Sequence, residues 1–108
     1  MKTNTYNGFR RRWGAQVLVN GGMLPRRKDL RFLCRKGFNW GYHSAGASQL
    51  ALAILAFEFG DGIAGKWHLH FKRDVIAGLG DIWILTSEYL RLWLDRQIAR
   101  VESLSAPE

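Results

Sequence analysis

Residues 42–60, YHSAGASQLALAILAFEFG, decide the fold of this 108-residue chain. From Ala45 to Phe57 the stretch is almost wholly apolar and rich in Ala and Leu, which are strong helix formers. Gln49 and Glu58 are its only long polar side chains. A helix that is apolar on every face must be buried on every face, and this one is shorter than the roughly 20 residues that cross a bilayer. The stretch therefore predicts the central buried helix of a small domain.

The segments before this helix predict a β-hairpin. Residues 5–12 and 16–20 have the composition of two strands, and Asn20-Gly21-Gly22 predicts a tight turn at which the second strand ends. The next segment, residues 26–36, fits a short helix or a third strand equally well.

The segments after the core helix predict two further helices with a strand between them. Residues 63–79 carry one apolar stripe at helical spacing, and residues 82–85, IWIL, predict the last strand. Thr86 is placed to cap a final helix, whose apolar stripe runs from Leu90 to Val101.

These elements predict one α+β domain over residues 1–108. In it, an N-terminal β-hairpin and a later strand pack on the central buried helix and on two further amphipathic helices. The core is expected at about 5–102, with a frayed tail at 103–108.

Charge is unevenly spread along the chain, whose net charge is +7. Residues 1–40 carry ten Lys or Arg against one acid, Asp29, whereas residues 41–108 carry six bases against eight acids. A basic half joined to a nearly neutral half suggests an anionic partner on one face, although an ordinary solvated surface gives the same pattern.

Basic and aromatic residues are interleaved along residues 1–40, a combination that can hold phosphates and stack bases. Alternation along the first strand predicts Arg10 and Arg12 on one side and Arg11 on the other. Because adjacent strands lie close together, the two basic clusters are predicted to share a surface. The candidate binding residues are Arg10, Arg11, Arg12, Trp13, Arg26, Arg27, Lys28, Arg31, Arg35 and Lys36.

A second candidate contact is the Gly/Ser segment at residues 41–48, which leads into the N-terminus of the core helix. Free N–H groups and the helix dipole favour an anion at such a place. The candidate contacts are His43, Ser44, Gly46 and Ser48, and either serine is suited to cap the helix. Close packing of the glycines against the strands is the favoured alternative, and the lysine and spacing of a P-loop are missing.

Metal and catalytic chemistry find little support. The soft ligands Cys34, His43, His68 and His70 lack the paired spacing of a zinc site. His68 and His70 lie two residues apart on a predicted helix, so one is expected to pack near Trp67 and the other to be solvated. We expect no metal and no cofactor. The acids fall at caps, breaks and polar helix faces, which favours a non-catalytic protein.

The single cysteine, Cys34, excludes an internal disulfide and fits a reducing cytosol. The N-terminal segment shows no apolar run that would serve as a signal peptide. We therefore expect a cytoplasmic protein without a membrane partner.

The chain carries a set of motifs spread over most of residues 5–95: Trp40-Gly41-Tyr42, the Ser/Gly loop, Gln49-Leu50-Ala51-Leu52-Ala53, Gly60-Asp61, Phe71-Lys72, Trp83, Leu85-Thr86 and Trp93-Leu94. Together these motifs resemble a family of short uncharacterised proteins found in archaea, bacteria and their phages and plasmids. The family has no assigned catalytic activity. The resemblance implies a compact α+β domain in a mobile-element setting.

Three functions follow from these observations. The first is a modulator or inhibitor of a host protein or nucleoprotein complex, such as an anti-defence, anti-CRISPR-like protein, that engages an anionic surface through the basic N-terminal face. The second is a protein that binds nucleic acid directly through the same face. The third is a small enzyme of unrecognised type.

Overall fold

The computed structural model describes residues 3–12 and 14–105. They form one antiparallel sheet and three α-helices, so the predicted α+β class is confirmed. The elements are β1 (Thr5–Arg11), β2 (Gly14–Val19), β3 (Gly22–Met23), α1 (Ala45–Phe59), α2 (Asp61–Asp74), a 3₁₀ turn (Ile76–Gly78), β4 (Ile82–Thr86) and α3 (Ser87–Ser105).

The sheet has the strand order β3-β2-β1-β4. The predicted hairpin of β1 and β2 is present, and the later strand β4 pairs with the other side of β1. Strand β3 was not predicted, because two residues are too few to show any alternation. Asn20 (φ 52°) and Gly21 (φ 85°) form the turn before it, and both adopt the positive φ values that this type of hairpin turn requires.

One face of the sheet covers the core. Tyr6, Val17, Val19, Trp83 and Leu85 are buried on it, because side chains alternate between the two faces of each strand. Gly8 lies opposite Trp83, and a Cβ atom on Gly8 would stand only 2.1 Å from the indole. A side chain at this glycine would therefore displace the tryptophan.

Helix α1 is the buried centre that its sequence predicts, with every residue from Gly46 to Ala56 buried. The Oγ of Ser44 accepts a hydrogen bond from the backbone N–H of Ala47 at 3.1 Å, so Ser44 caps the helix as predicted. The helix ends at Phe59, and Gly60 follows as its C-terminal glycine with φ 95°, where the sequence Gly60-Asp61-Gly62 predicts the end of the helix.

The apolar stripe predicted over residues 63–79 is packed, but it is not one helix. Helix α2 ends at Asp74, Val75 departs from helical geometry with φ −126°, and Ile76–Gly78 form a 3₁₀ turn. Val75 and Ile76 are nevertheless buried, so burial follows the pattern although the helix does not.

The apolar stripe of helix α3 is buried only in its first half. Leu90, Trp93 and Leu94 belong to the core, whereas Ile98 and Val101 of the predicted stripe are exposed. The helix continues to Ser105, into the tail predicted at 103–108, and residues 106–108 lie outside the described part of the chain.

Candidate functional site

The basic loop, residues 26–36, forms neither the short helix nor the third strand that its sequence allowed. Its chain turns at Arg27, which has φ 55°, and the N–H groups of Leu30 and Arg31 donate to the carbonyl oxygen of Arg27 at 3.1 and 3.3 Å. Because the rest of the loop has no ladder or helix to satisfy its backbone, its other polar groups need partners elsewhere.

Gln49 supplies those partners. Its carboxamide Oε1 accepts hydrogen bonds from the N–H groups of Leu33 (2.8 Å) and Cys34 (3.1 Å), and its Nε2 donates to the carbonyl oxygens of Arg26 (2.7 Å) and Arg31 (3.2 Å). The side chain is fully buried in α1. Gln49 therefore fastens the basic loop to the central helix.

Sequence reasoning noted Gln49 only as a polar residue in an apolar helix and did not assign it to the site. The signal was present, because a buried carboxamide in such a helix must find hydrogen-bonding partners. The partners lie 15 to 23 residues earlier in an irregular segment, which no periodicity identifies.

Two cations of the basic loop have partners within the molecule. Arg27 forms ion pairs with Asp29 (3.2 Å) and Asp61 (3.0 Å), and its hydrogen bonds lower the pKa of Asp29 below the usual range. Lys28 donates to the carbonyl oxygen of Arg35 at 3.0 Å and lies over the ring of Phe32. Both residues were predicted to bind a partner, but these contacts hold the loop in shape.

Four other cations of the loop are exposed, and no acidic side chain pairs with them among residues 3–12 and 14–105. Phe32 stands beside them with 62% of its surface exposed. Gln49 places the loop beside the N-terminal half of α1, whose dipole adds positive potential there. The four residues, which we call the free cations, are Arg26, Arg31, Arg35 and Lys36.

Arg10, which was predicted to bind a partner, makes its contacts within the fold. Its guanidinium donates to Asn39 Oδ1 at 2.8 Å and to the carbonyl oxygen of Trp40, and it pairs with Asp81 at 3.1 Å. It also lies over the Trp40 ring, 4.8 Å from the centroid. Arg10 therefore joins three separate segments of the fold.

The predicted alternation of the arginine triplet holds for Arg10 and Arg11 but does not extend to Arg12. Arg10 points to the inner face of the sheet, Arg11 lies on the outer face against Phe9, and Arg12 has already left the strand in a turn. Trp13 lies outside the described residues. The chain leaves β3 at the end of the sheet where β1 also ends. Met23 of β3 and Arg11 of β1 line one shallow depression there.

The segment at residues 41–48 does not present the contacts that its sequence suggested. Gly46 and Ser48 lie inside α1 and are buried, and Ser44 is occupied as the helix cap. A Cβ atom on Gly46 would stand 2.8 Å from Asn39 Cβ, so this glycine permits close packing. Of the four candidates, only His43 is exposed.

One histidine lies near Trp67 as expected, but the other is buried and not solvated. The exposed ring of His70 has its centroid 5.1 Å from that of Trp67, whereas His68 is buried. Its Nδ1–H donates to the carbonyl oxygen of Ala64 at 2.9 Å, while its Nε2 is buried without a hydrogen-bonding partner. Among residues 3–12 and 14–105, no three His, Cys, Asp or Glu side chains are grouped so that they would hold a metal ion.

A polar cluster at Glu58 joins the ends of three elements. Glu58 Oε1 accepts from the hydroxyls of Tyr6 and Ser87, both at 2.8 Å, and from Asn4 Nδ2 at 3.1 Å. Burial, followed by the hydrogen bond to Glu58, raises the pKa of Tyr6 above its usual range. The hydroxyls thus bond to the carboxylate, which ties β1 and α3 to the end of α1.

Within the described ranges, no helix has both the length and the apolar composition needed to span a membrane.

Three comparisons with known proteins bear on identity. Neither a curated protein nor a solved structure matches the chain. A family model described as a family of unknown function, DUF6166, matches residues 6–96, which begin inside β1, include the basic loop and extend into α3. The chain belongs to the family of unknown function DUF6166.

Proposed function

We propose that this protein is a non-catalytic binding protein that modulates or inhibits a host protein or nucleoprotein complex by docking its basic loop on an anionic surface of that complex. One observation carries the proposal. Gln49 fixes the backbone of the loop, and yet the four free cations have no acidic partner among the described residues. Cations on a fixed backbone lose less conformational entropy on binding than cations on a mobile one.

An acidic protein surface suits this loop better than duplex DNA. Base readout in the major groove uses an α-helix or a two-stranded ribbon, and residues 26–36 form neither. Arginine and aromatic side chains are enriched at the energetic centres of protein interfaces, and here the exposed Phe32 follows Arg31 in the chain. The mobile-element setting rests on the sequence resemblance and accounts for a host target in the cytoplasm.

Single-stranded nucleic acid is the second candidate, and one observation favours it. Phe32 is largely exposed beside cationic side chains, and exposed aromatic rings with nearby cations stack bases and hold phosphates. Phosphate contacts make affinity fall steeply with salt, which gives this candidate a clear signature.

The test compares the wild type with a charge-reversed loop variant, Arg31→Glu/Arg35→Glu/Lys36→Glu. The matched control, Lys66→Glu/Arg96→Glu/Arg100→Glu, makes the same change in net charge on α2 and α3. Each protein is used to capture complexes from nuclease-treated host lysate, and each is titrated with labelled single-stranded DNA and RNA at two salt concentrations. A thermal melt of each variant verifies folding.

We expect the loop variant to fold normally and to lose a host complex that the wild type and the control both retain. Salt-sensitive binding of nucleic acid, lost only in the loop variant, would replace the first candidate by the second. If the loop variant retains every protein and nucleic acid that the wild type binds, the basic loop is a solvated surface and both candidates fail.

A further inference from the structure

Strand β4 is an unprotected edge of the sheet. It pairs with β1 on one side, and among residues 3–12 and 14–105 no strand pairs with its other side. Natural proteins usually protect such edges with charged residues, proline or a bulge, because an open edge invites another strand. The sequence of β4, IWILT, contains neither charge nor proline.

The backbone groups on the free edge belong to Ile82 and Ile84, followed by Thr86 at the end of the strand. At the two ends of the β1–β4 ladder, Arg10 N–H donates to the carbonyl of Asp81 and Ser87 N–H donates to the carbonyl of Asn4. Hydrogen-bonded pairs alternate along an antiparallel ladder, so the odd-numbered residues of β4 bond to β1 and the even-numbered residues face away from it.

The side chains of the same two isoleucines stand on the outer face of the sheet. Ile82 is 80% exposed and Ile84 is 63% exposed, and on the neighbouring strand Phe9 lies opposite Ile82. An apolar row therefore adjoins unsatisfied backbone donors and acceptors. This combination is what the addition of another strand uses, since main-chain bonds give affinity and alternate side chains give the fit.

We propose that β4 pairs antiparallel with β4 of a second copy of this chain, about a twofold axis at Ile84. In this register Ile84 faces Ile84 of the second copy and Ile82 faces Thr86 of the second copy. The surface is then complementary to itself, as a twofold interface requires, and no like charges meet across it. The two four-stranded sheets become one continuous sheet.

The sequence of β4 favours a second copy as the occupant, because an uncharged strand pairs with itself without bringing like charges together. Two chains of net charge +7 repel each other, but the basic loop follows β3, which lies at the opposite edge of the sheet from β4. Three strand spacings, about 14 Å, separate the two edges. Pairing through β4 thus joins two edge strands that carry no charge.

Disulfide trapping tests the register. In a Cys34→Ser background, Ile84→Cys places two thiols opposite each other on the twofold axis, with Cα atoms about 5.5 Å apart, within the range that a disulfide spans. Ile82→Cys is the matched control, because it lies on the same face of the same strand and is the more exposed residue, but faces a threonine. Under mild oxidation we expect Ile84→Cys to give the covalent dimer at least tenfold faster.

Mass measurement by light scattering over a range of concentrations tests the association itself. We expect the wild type to approach the dimer mass, Ile84→Lys to remain a monomer, and Leu69→Lys, which alters an exposed leucine on α2, to behave as the wild type. Circular dichroism verifies folding. If Ile84→Lys is unfolded, disulfide trapping of Ile84→Cys against Ile82→Cys tests the proposal in its place. A wild type that stays monomeric at every concentration, or equal trapping through Ile82→Cys and Ile84→Cys, overturns the proposal.

Discussion

Arg10 and Asp81 are joined twice, once through the backbone and once through the side chains. The N–H of Arg10 donates to the carbonyl oxygen of Asp81 at 2.9 Å, and Arg10 Nη1 lies 3.1 Å from Asp81 Oδ1. The two residues are 71 positions apart in the chain. The guanidinium then reaches Asn39 and Trp40, so one side chain connects the end of β1, the start of β4 and the segment before α1.

Replacing Arg10 should therefore destabilise the fold, while replacing Arg12 should not. Arg10→Met keeps the length of the side chain but removes its hydrogen bonds, and we expect a loss of about 2–3 kcal/mol in the free energy of unfolding. Arg12 is exposed in the turn, so Arg12→Met should change stability by less than about 0.5 kcal/mol. Urea denaturation of the two variants measures the difference, and equal stabilities would contradict the structural role of Arg10.

Removing the carboxamide of Gln49 should loosen the basic loop. Gln49→Met keeps the volume but leaves four backbone groups without their partner, and we expect a loss of about 2–4 kcal/mol in the free energy of unfolding. Trypsin should then cleave after the arginines of residues 26–36 faster than in the wild type. Gln97→Met, at a buried glutamine of α3, is the control and should leave this cleavage unchanged. Unaltered trypsin cleavage in Gln49→Met would show that other contacts hold the loop.

Acid should destabilise the protein through His68. Burial lowers the pKa of this histidine below its ordinary value of 6.5, and the charges of Arg31 and Lys72 lower it further. Between that folded-state pKa and 6.5, the unfolded chain binds a proton that the folded chain does not. The free energy of unfolding is therefore expected to fall as pH decreases below about 6.5, by at most about 1.4 kcal/mol per pH unit for one proton.

The check is urea denaturation between pH 8 and pH 5 for the wild type and for His68→Gln, which does not titrate in this range. We expect the decline between neutral and acidic pH to be shallower in His68→Gln. His43→Gln, at an exposed histidine, is the control and should follow the wild type. Parallel curves for His68→Gln and the wild type would exclude His68 as the source.

The central helix, the β1–β2 hairpin and β4 were predictable from sequence because each depends on a local pattern. An apolar run without a polar face has to be buried, and this determined α1. Strand β3 and the break at Val75 were not predictable, because both depend on tertiary contacts and neither carries a local signal. The stripe over residues 63–79 indicated which residues are buried, although it could not show where helical geometry ends.

The candidate site was predicted less well than the fold. Sequence reasoning gathered the cations of residues 10–36, but it could not distinguish those that serve the fold from those that face solvent. Arg10 and Arg27 reach acids that lie 71 and 34 residues away in the chain. Their neighbours Arg12 and Arg26 have the same local composition and no such partner among the described residues. Only the tertiary structure separates the two groups.

The position of β1 in the middle of the sheet has a consequence for synthesis. Its first partner, β2, leaves the ribosome almost at once, whereas its second partner, β4, begins only at Ile82. Until then the nascent hairpin has one open side, and Arg10 lacks the aspartate to which it bonds. The domain therefore closes late in translation, and a truncation before Ile82 would leave β1 as an exposed edge that invites aggregation.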